Sequence, residues 1–359
     1  MVSIGRREPG WYAVEKEPFE DAQYYGSGLD LYLYLDGSSA EIRTKLNEHK
    51  SLWSNLLHTG YLLLDSENTH DGIVGLADIN AARNQKTAVS KQLYDILVEA
   101  DSFDKDVFDP CAGQLYAFYD SFLYLEEPAE VDPVIDSWQA EKEKALQDAA
   151  RRKLAHLEFE QQGDEYAVTL VVDKEYEELA ARYDFEGPIL DLGPLKDAYR
   201  IRLIRQELEK NGALNGYLAS QSGITLTLAG FETGSFAFYA ADEEDVNAFR
   251  IPAQAGQAYS FVRTFGQQEY GFYTVNADGI VYRRHPYPTP EGWNQTLLSL
   301  CALAEDPVQA AVQTLGLLAD HAEKADCACI LSAQPHTVYV SGLTMEELAE
   351  GYVLKDSNE

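Results

Sequence analysis

Carboxylates and basic side chains lie together at several points of the sequence where the pattern predicts a turn. Residues 189–213 read ILDLGPLKDAYRIRLIRQELEKNGA, which places Asp191, Gly193 and Lys196 around the start of a helix pattern that ends near Gly212. A helix N-terminus can bind phosphate through its backbone N–H groups, and a carboxylate can hold a hard cation. The same residues could also be a turn glycine and a solvated charge. Both interpretations stay open at this point.

Three further stretches have a chemical and a structural interpretation. FDPCAG at residues 108–113 is typical of an Asx-type turn that leads into a helix. Arg283, Arg284 and His285 form a basic cluster in an acidic chain, and the prolines behind them also fit a rigid exposed loop. Asp306 before Pro307 is most simply a helix N-cap. None of these stretches specifies a reaction by itself.

The charge of the chain excludes some partners. Its 359 residues include 60 acidic and 28 basic side chains, a formal net charge of −32. A phosphate backbone or an anionic membrane needs a positive surface, so the composition argues against both partners. The 45% apolar and 11% aromatic content is that of a globular protein.

The cysteines and the N-terminus predict the compartment. The four cysteines, at positions 111, 301, 327 and 329, match no zinc spacing, and CACIL at 327–331 predicts a buried strand with free thiols. The first residues contain no apolar signal segment or lipobox, and no stretch of 18 apolar residues occurs. We therefore expect a cytoplasmic protein without membrane insertion.

Alternating and helical patterns predict the elements that position these residues. LDLYLYL at 29–35 alternates as a half-buried strand does. Similar runs follow at 166–172, 189–190, 224–230, 235–241, 270–275, 279–284 and near 327–341. Turn signals such as NADG at 276–279 indicate antiparallel hairpins.

Helix patterns occupy most of the remaining chain. We predict helices over 39–53, 90–100, 132–155 with Asp132 as the cap, the segment after Gly193, and 306–322. The polar residues 65–85 predict a loop. The result is an α+β fold of antiparallel sheets with packed helices, in a single domain over 1–359 with a core of about 24–341.

Taken in chain order, the stretches resemble the FAD:protein FMN transferase family, the ApbE-type flavin transferases, over about residues 24–335. Tyr25-Gly26-Ser27 stands where that family has Met-Gly-Thr, and DSENTHDGIVGLADIN where it has a Ser-rich loop ending in Leu-Asn. FDPCAGQL and LDLGPLKDAY stand at the family's Phe-Asp-Pro and Asp-Leu-Gly-Gly motifs. RRHPYPTPEG and EDPVQAAVQTLG look like the counterparts of its His-containing segment and its metal-binding helix.

The resemblance implies a protein of the ApbE-like fold that binds FAD and Mg²⁺. Such enzymes split the FAD pyrophosphate and attach FMN through its phosphate to a Thr or Ser of an acceptor flavoprotein. The resemblance assigns Asp306 and the Leu195 backbone carbonyl to the metal, and Arg284 and His285 to catalysis. It assigns to cofactor binding Phe108, Asp109, Asp191, Gly193, Lys196 and Tyr199.

Several positions depart from the family pattern. Pro194 and Asp197 replace glycines of the phosphate turn, and Ala310 replaces the metal-binding Thr. We therefore expect a divergent relative that binds FAD or a related flavin with impaired or lost transferase activity. One alternative is an active Mg²⁺-dependent transferase in which Gln309, Gln313 or Thr314 supplies the missing oxygen. The other is a non-flavin α+β binding protein.

Overall fold

A computed structural model of the chain describes residues 6–17, 28–210, 212, 214–232, 234–241, 246–264, 272–319, 327–333, 337–342 and 353–356. The predicted turn at residues 25–27 lies outside these ranges. No helix in the described part of the chain is long and apolar enough to cross a membrane.

The described chain contains helices and strands, with most of the strands in its C-terminal half. The helices are α1 (Ser39–Leu64), α2 (Leu76–Ala81), α3 (Lys91–Ser102), α4 (Gly113–Phe122), α5 (Ser137–Arg151), α6 (Lys174–Tyr183), α7 (Lys196–Lys210) and α8 (Pro307–Ala319), with short 3₁₀ turns at Pro128–Glu130 and Gly193–Leu195. The strands are β1 (Arg6–Ala13), β2 (Leu29–Ser38), β3 (Thr87–Val89), β4 (Ala155–Gln162), β5 (Glu165–Val172), β6 (Gly216–Ser220), β7 (Ile224–Thr227), β8 (Ser235–Ala241), β9 (Val246–Pro252), β10 (Ala258–Arg263), β11 (Tyr273–Ala277), β12 (Ile280–Arg284), β13 (Leu297–Ala304), β14 (Ala328–Ala333), β15 (Thr337–Ser341) and β16 (Val353–Asp356).

The largest sheet forms the centre of the fold. Within the described residues it contains nine strands in the order β1-β2-β6-β7-β10-β13-β14-β15-β16, all paired antiparallel except β15 with β16. Helices α1, α7 and α8 pack against it. Leu29, Leu31, Leu33 and Leu35 are buried in the core, as their alternation predicts. The antiparallel α+β prediction is confirmed.

A second apolar cluster lies on the β8–β9 hairpin side of this sheet. Phe238 and Phe249 of the hairpin pack with Tyr259, Cys301 and Ile330 of the sheet strands. Successive side chains of a strand point to opposite faces. Tyr259 and Cys301 therefore face away from their neighbours Ala258 and Ala302, which belong to the main core.

The cysteines and one predicted hairpin agree with expectation. All four thiols are free, and Cys111, Cys301 and Cys329 are buried. Strands β11 and β12 pair antiparallel around Asp278 and Gly279, whose φ angles of +53° and +79° fit the turn type that suits two-residue hairpins.

Helix α1 begins as predicted and ends later. The Ser38 hydroxyl accepts a hydrogen bond from the Glu41 backbone N–H at 3.3 Å, and the Glu41 carboxylate accepts one from the Ser38 N–H at 2.7 Å. This reciprocal capping box fixes the start. The predicted end at Trp53 is wrong, because Leu57, Tyr61 and Leu64 continue the buried face of the helix.

Three other predictions require correction. The loop predicted over residues 65–85 contains the short helix α2. Helix α5 is capped by Asp136, whose carboxylate accepts the N–H groups of Trp138 and Gln139, and Asp132 lies before the helix in a buried ion pair. Ile189 and Leu190 form a buried bend rather than a strand. The bend leads directly into the 3₁₀ turn and α7, so the Asp191 segment is a loop followed by a helix.

Candidate functional site

A cavity of about 960 Å³ lies where the C-terminal end of α1, the start of α4 and the segment before α7 approach one another. The loop at residues 65–70 and the proline-rich segment after β12 complete its wall. Four of the residues predicted for the site line this cavity, namely Asp191, Gly193, Lys196 and His285. The other six, Phe108, Asp109, Leu195, Tyr199, Arg284 and Asp306, do not line it.

Asp191 is the centre of a polar network on the cavity wall. Its carboxylate accepts hydrogen bonds from the Ser66 hydroxyl and from the Gly193 backbone N–H. It also pairs with the Lys196 ammonium at 2.7 Å, and the Lys196 Nζ lies 3.4 Å from the Ser66 Oγ. The charge of Asp191 is therefore compensated within the protein.

Asn80 fastens the two loops that carry this network. Its side-chain amide donates to the Ser66 carbonyl at 3.1 Å and to the Leu190 carbonyl at 2.8 Å. Its Oδ1 accepts the Leu190 N–H at 2.9 Å. Because Asn80 is buried, these bonds form in a medium where leaving them unmade would be costly. Ser66 and Asp191 are thus held together from behind.

The Phe108-Asp109-Pro110 segment supports the same loop without reaching the cavity. The Pro110 carbonyl accepts the Asp191 N–H at 2.9 Å. Phe108 is fully buried and stacks on Tyr116, while the Asp109 carboxylate accepts the Cys111 N–H at 3.0 Å as an Asx turn does. Burial raises the pKa of Asp109, opposed by the nearby Lys105. Phe108 and Asp109, both predicted to bind the cofactor, therefore stabilise the loop that carries Asp191 from behind the cavity wall.

Two glycines allow the close approach of the backbone at the cavity wall. Gly193 has a φ of +44°, and a Cβ there would lie 2.7 Å from the Tyr116 ring. A Cβ on Gly113 would lie 2.5 Å from the Pro188 carbonyl oxygen. The segment from Pro188 to Pro194 therefore packs tightly on the start of α4, and Pro194 contributes no N–H to the turn.

His285 is fully buried at the cavity edge. Its Nε2 lies 3.1 Å from the Asn294 carbonyl, which assigns the proton to Nε2 and leaves Nδ1 as an acceptor without a partner among the described residues. Burial lowers the pKa of His285 to about 4, aided by the charge of Arg284. His285 is thus neutral at pH 7.

Arg284 is engaged elsewhere. Its guanidinium donates to both carboxylate oxygens of Asp132 at 2.7 and 2.9 Å and lies 4.4 Å from the Trp293 ring centroid. The Tyr273 hydroxyl donates to the same carboxylate at 2.9 Å. This buried pair joins the segment before α5 to β12. The predicted catalytic pair is therefore divided between the cavity edge and a buried ion pair.

Asp306 is bound by an arginine. The Arg202 guanidinium donates to both carboxylate oxygens of Asp306 and to both of Glu99, including contacts of 2.7 Å and 3.0 Å. The Asp306 Oδ1 also accepts the Val308 and Gln309 backbone N–H groups, which caps α8. Asp306 therefore has an N-cap role together with an ion pair.

The two remaining predicted residues, Leu195 and Tyr199, are buried in the protein. Leu195 belongs to the 3₁₀ turn, with its side chain fully buried. Tyr199 is also buried, and the Arg202 guanidinium lies 5.3 Å from its ring centroid. Burial raises the pKa of Tyr199 well above its usual range.

The residues present do not fit the magnesium ion that the resemblance implies. Mg²⁺ requires several oxygen ligands in nearly octahedral geometry. Both oxygens of Asp306 already accept hydrogen bonds from Arg202, and Ala310, fully buried, has no side-chain oxygen. Across the described ranges, no group of three or more His, Cys, Asp or Glu side chains could hold a metal ion.

The structure adds residues that sequence reasoning did not single out. In the loop after α1, the Asp65 carboxylate lies 2.9 Å from the His70 Nε2. Burial is the largest single influence on the pKa of Asp65 and acts to raise it. Several hydrogen bonds from the loop together outweigh burial, so the pKa of Asp65 is lowered. Arg200 lines the cavity beside Tyr61. The polar sequence DSENTH at residues 65–70 predicted a loop, and no local pattern connects this loop to Asp191.

Solved structures share this architecture. The ApbE protein from Thermotoga maritima matches with a TM-score of 0.56 and 14% identity, over 95% of this chain and 97% of that one. The apo flavinyl transferase ApbE from Pseudomonas stutzeri matches with a TM-score of 0.53 and 12% identity, over 93% of each chain. The flavin transferase ApbE from Vibrio cholerae matches with a TM-score of 0.55 and 11% identity, over 90% of this chain and 94% of that one.

These likenesses define the fold. The chain has the α+β fold of the ApbE flavin transferases, as its motifs predicted. No protein-family model matches the sequence, and no curated protein matches it.

Proposed function

We propose that this protein binds a flavin nucleotide, FAD or FMN, in the cavity beside Asp191, and that it does not carry out Mg²⁺-dependent FMN transfer. The observation that carries the proposal is the meeting of Asp191, Gly193, Lys196 and His285 at one cavity in a flavin-transferase fold. Asp191, Gly193 and Lys196 belong to one turn and the start of α7, and His285 joins them from far along the chain. The resemblance assigns all four to the site.

The size and the walls of the cavity support a ligand of this class. Cofactor pockets typically enclose about 300–1,000 Å³, and this cavity reaches the upper end at about 960 Å³. The rings of Tyr61 and Tyr116 lie on its wall beside Lys196 and Arg200. Aromatic and basic side chains on one wall suit a ligand with a flat ring and a charged phosphate.

The ion pair of Asp306 argues against ordinary transfer. Splitting a pyrophosphate requires a cation that neutralises the charge developing on its oxygens. In this chain the carboxylate assigned to that cation is bound by Arg202, and Ala310 offers no side-chain ligand. Asp197, which replaces a glycine, pairs with Arg200 at 3.3 Å and accepts from the Ser222 hydroxyl at 2.8 Å.

The proposal is tested by following FAD in the presence of the purified protein. The protein is incubated with FAD and Mg²⁺, and flavin fluorescence, AMP release and FMN attachment to an added acceptor flavoprotein are measured. We expect a change in flavin fluorescence at micromolar protein without AMP release. AMP release together with flavin attachment would instead identify an active transferase, and absence of any FAD or FMN binding would favour the non-flavin alternative.

A further inference from the structure

Arg200 is a half-buried side chain on the wall of the cavity, and part of its guanidinium makes no hydrogen bond to a described residue. Its side chain is only 19% exposed, and its guanidinium lies 5.7 Å from the Tyr61 ring centroid. It makes one ion pair, from Nη1 to Asp197 at 3.3 Å. Its Nε is buried and has no hydrogen-bond partner among the described residues. A buried donor without an acceptor is costly and requires an explanation.

Four acidic side chains line the cavity together with Arg200, namely Asp65, Glu67, Asp120 and Asp191, and none of them accepts a hydrogen bond from it. Asp65 accepts from the loop after α1, and Asp191 accepts from Ser66, Gly193 and Lys196. The second carboxylate oxygen of Asp197 accepts a hydrogen bond from the Ser222 hydroxyl. The Nη2 of Arg200 makes no hydrogen bond to a described residue and is not among the buried unpartnered atoms, so it is the donor available to a ligand in the cavity.

Helix α7 places a second cation beside Arg200. Lys196 and Arg200 are four residues apart, so they lie on the same face of α7, and both line the cavity. A guanidinium presents its donors in a planar fork that matches the oxygens of a phosphate, and it keeps its charge at every physiological pH. A lysine adds a compact positive charge to the same oxyanion.

We propose that Arg200, assisted by Lys196, binds the phosphate or diphosphate group of the ligand directly, without a metal ion. The inference rests on the proposed function for the identity of the ligand, and for its chemistry on the Arg200 donors that make no hydrogen bond to a described residue. Arg200 is then the residue that selects phosphorylated ligands over their unphosphorylated forms. Arg202 binds the carboxylate that the resemblance assigns to the metal ion, and Arg200 has donors that can bind the ligand. In this proposal, arginine side chains neutralise the phosphate charge that a metal ion would otherwise neutralise.

The test compares ligands with and without phosphate in the presence of EDTA. Dissociation constants are measured for FMN and riboflavin, and separately for ADP and adenosine, with the wild-type protein, Arg200→Met and Arg205→Met. Methionine keeps the apolar stem that packs near Tyr61 and removes the charge. Arg205 is the matched control, because it lies on the same helix, pairs with Glu209 at 3.0 Å and does not line the cavity.

We expect the wild type and Arg205→Met to bind FMN at least about 10-fold more tightly than riboflavin, since a charged hydrogen-bonded pair contributes on that scale. Arg200→Met should lose most of this preference. Equal binding of FMN and riboflavin by the wild type, or an unchanged preference in Arg200→Met, would overturn the inference and leave flavin binding intact. A phosphate preference that appears only when Mg²⁺ replaces EDTA would also overturn it.

The ADP arm separates this inference from the proposed function. Binding of ADP over adenosine that depends on Arg200, without any flavin binding, would support the phosphate site and refute the flavin ligand. If no probe binds to the wild type, both proposals fail. Thermal unfolding of both variants shows whether a loss of binding reflects a loss of fold, and the wild-type comparison stands even if Arg200→Met does not fold.

Discussion

At the scale of single residues, two buried basic side chains, His285 and Arg284, make the stability of the protein sensitive to pH and to mutation. His285 is held neutral by burial, with its pKa lowered to about 4, whereas Arg284 keeps its charge because Asp132 is buried with it. His285 therefore resists protonation in the folded state, and Arg284 requires its counterion Asp132. A change of pH tests the contribution of His285 to stability, and a substitution of Asp132 tests that of Arg284.

His285 should make the protein less stable as the pH falls from about 6.5 to about 4. In this window the unfolded chain binds a proton at the histidine and the folded chain does not, so unfolding is favoured at lower pH. The shift from 6.5 to about 4 predicts a loss of about 2 kcal/mol between pH 7 and pH 4.5. Urea unfolding of the wild type and of His285→Gln at both pH values measures it.

The glutamine variant is the control, because it cannot titrate in this range. Its stability should change less between pH 7 and pH 4.5 than that of the wild type, by about the same 2 kcal/mol. Parallel pH profiles of the two proteins would show that His285 is not held neutral in the folded state.

Removal of Asp132 should be strongly destabilising. Asp132→Asn leaves the Arg284 guanidinium buried without its counterion, and breaking a buried pair in this way costs about 3–5 kcal/mol. Denaturant unfolding measures the change. Glu175→Gln is the matched control, since Glu175 pairs with Arg152 on the surface at 2.6 Å and little change is expected. Similar small effects of both substitutions would refute the structural role of the buried pair.

At the scale of elements, local patterns predicted most of the described helices but only eight of the sixteen described strands, and they failed where a distant partner decides. The alternation of LDLYLYL and the helix patterns over 39–53 and 90–100 identified β2, α1 and α3, because these signals lie within the element itself. The start of α5 was wrong because Asp132-Pro133 carries the same local signal as Asp136. Asp132 instead forms an ion pair with Arg284, which lies far along the chain and is not visible in the local pattern.

The site was predictable to a similar degree. The motif resemblance identified Asp191, Gly193, Lys196 and His285, which do line one cavity. It could not show that Asp306 is paired with Arg202, because that contact depends on how α7 and α8 pack. Arg200 also escaped notice, since a basic residue on a polar helix is usually solvated.

The contact between α4 and the loop before α7 should be intolerant of a single added methyl group. Gly113→Ala would place Cβ 2.5 Å from the Pro188 carbonyl oxygen and 2.8 Å from the Ile189 carbonyl oxygen, so backbone must move. We expect a loss of about 2–3 kcal/mol in unfolding free energy, as overpacking commonly gives. Denaturant unfolding measures it.

Gly316→Ala is the matched control for this substitution. Gly316 lies within α8, and a Cβ there would meet nothing within 4 Å. Because alanine favours a helix more than glycine does, this variant should gain about 0.5–1 kcal/mol. If both substitutions shift stability in the same direction, the close packing of α4 on the loop is refuted.

At the scale of the whole molecule, the scaffold and the charge chemistry have different origins in the sequence. The core and the sheet order depend on apolar periodicity, and the chain shares its fold with solved ApbE structures. Charge neutralisation depends on a few residues of α7 and their partners, where Arg202 binds Asp306 and Arg200 faces the cavity. The proposed function therefore depends on the cavity beside Asp191 and on the pairing of Asp306 with Arg202.

The most direct measurement of this account is the affinity for FAD with and without Mg²⁺. Isothermal titration of the wild type and of Asp306→Asn is performed in EDTA and again in Mg²⁺; asparagine keeps the capping of α8 while removing the charge. We predict that FAD binds with the same dissociation constant under both conditions in both proteins. Binding that requires Mg²⁺ and is lost in Asp306→Asn would contradict the account.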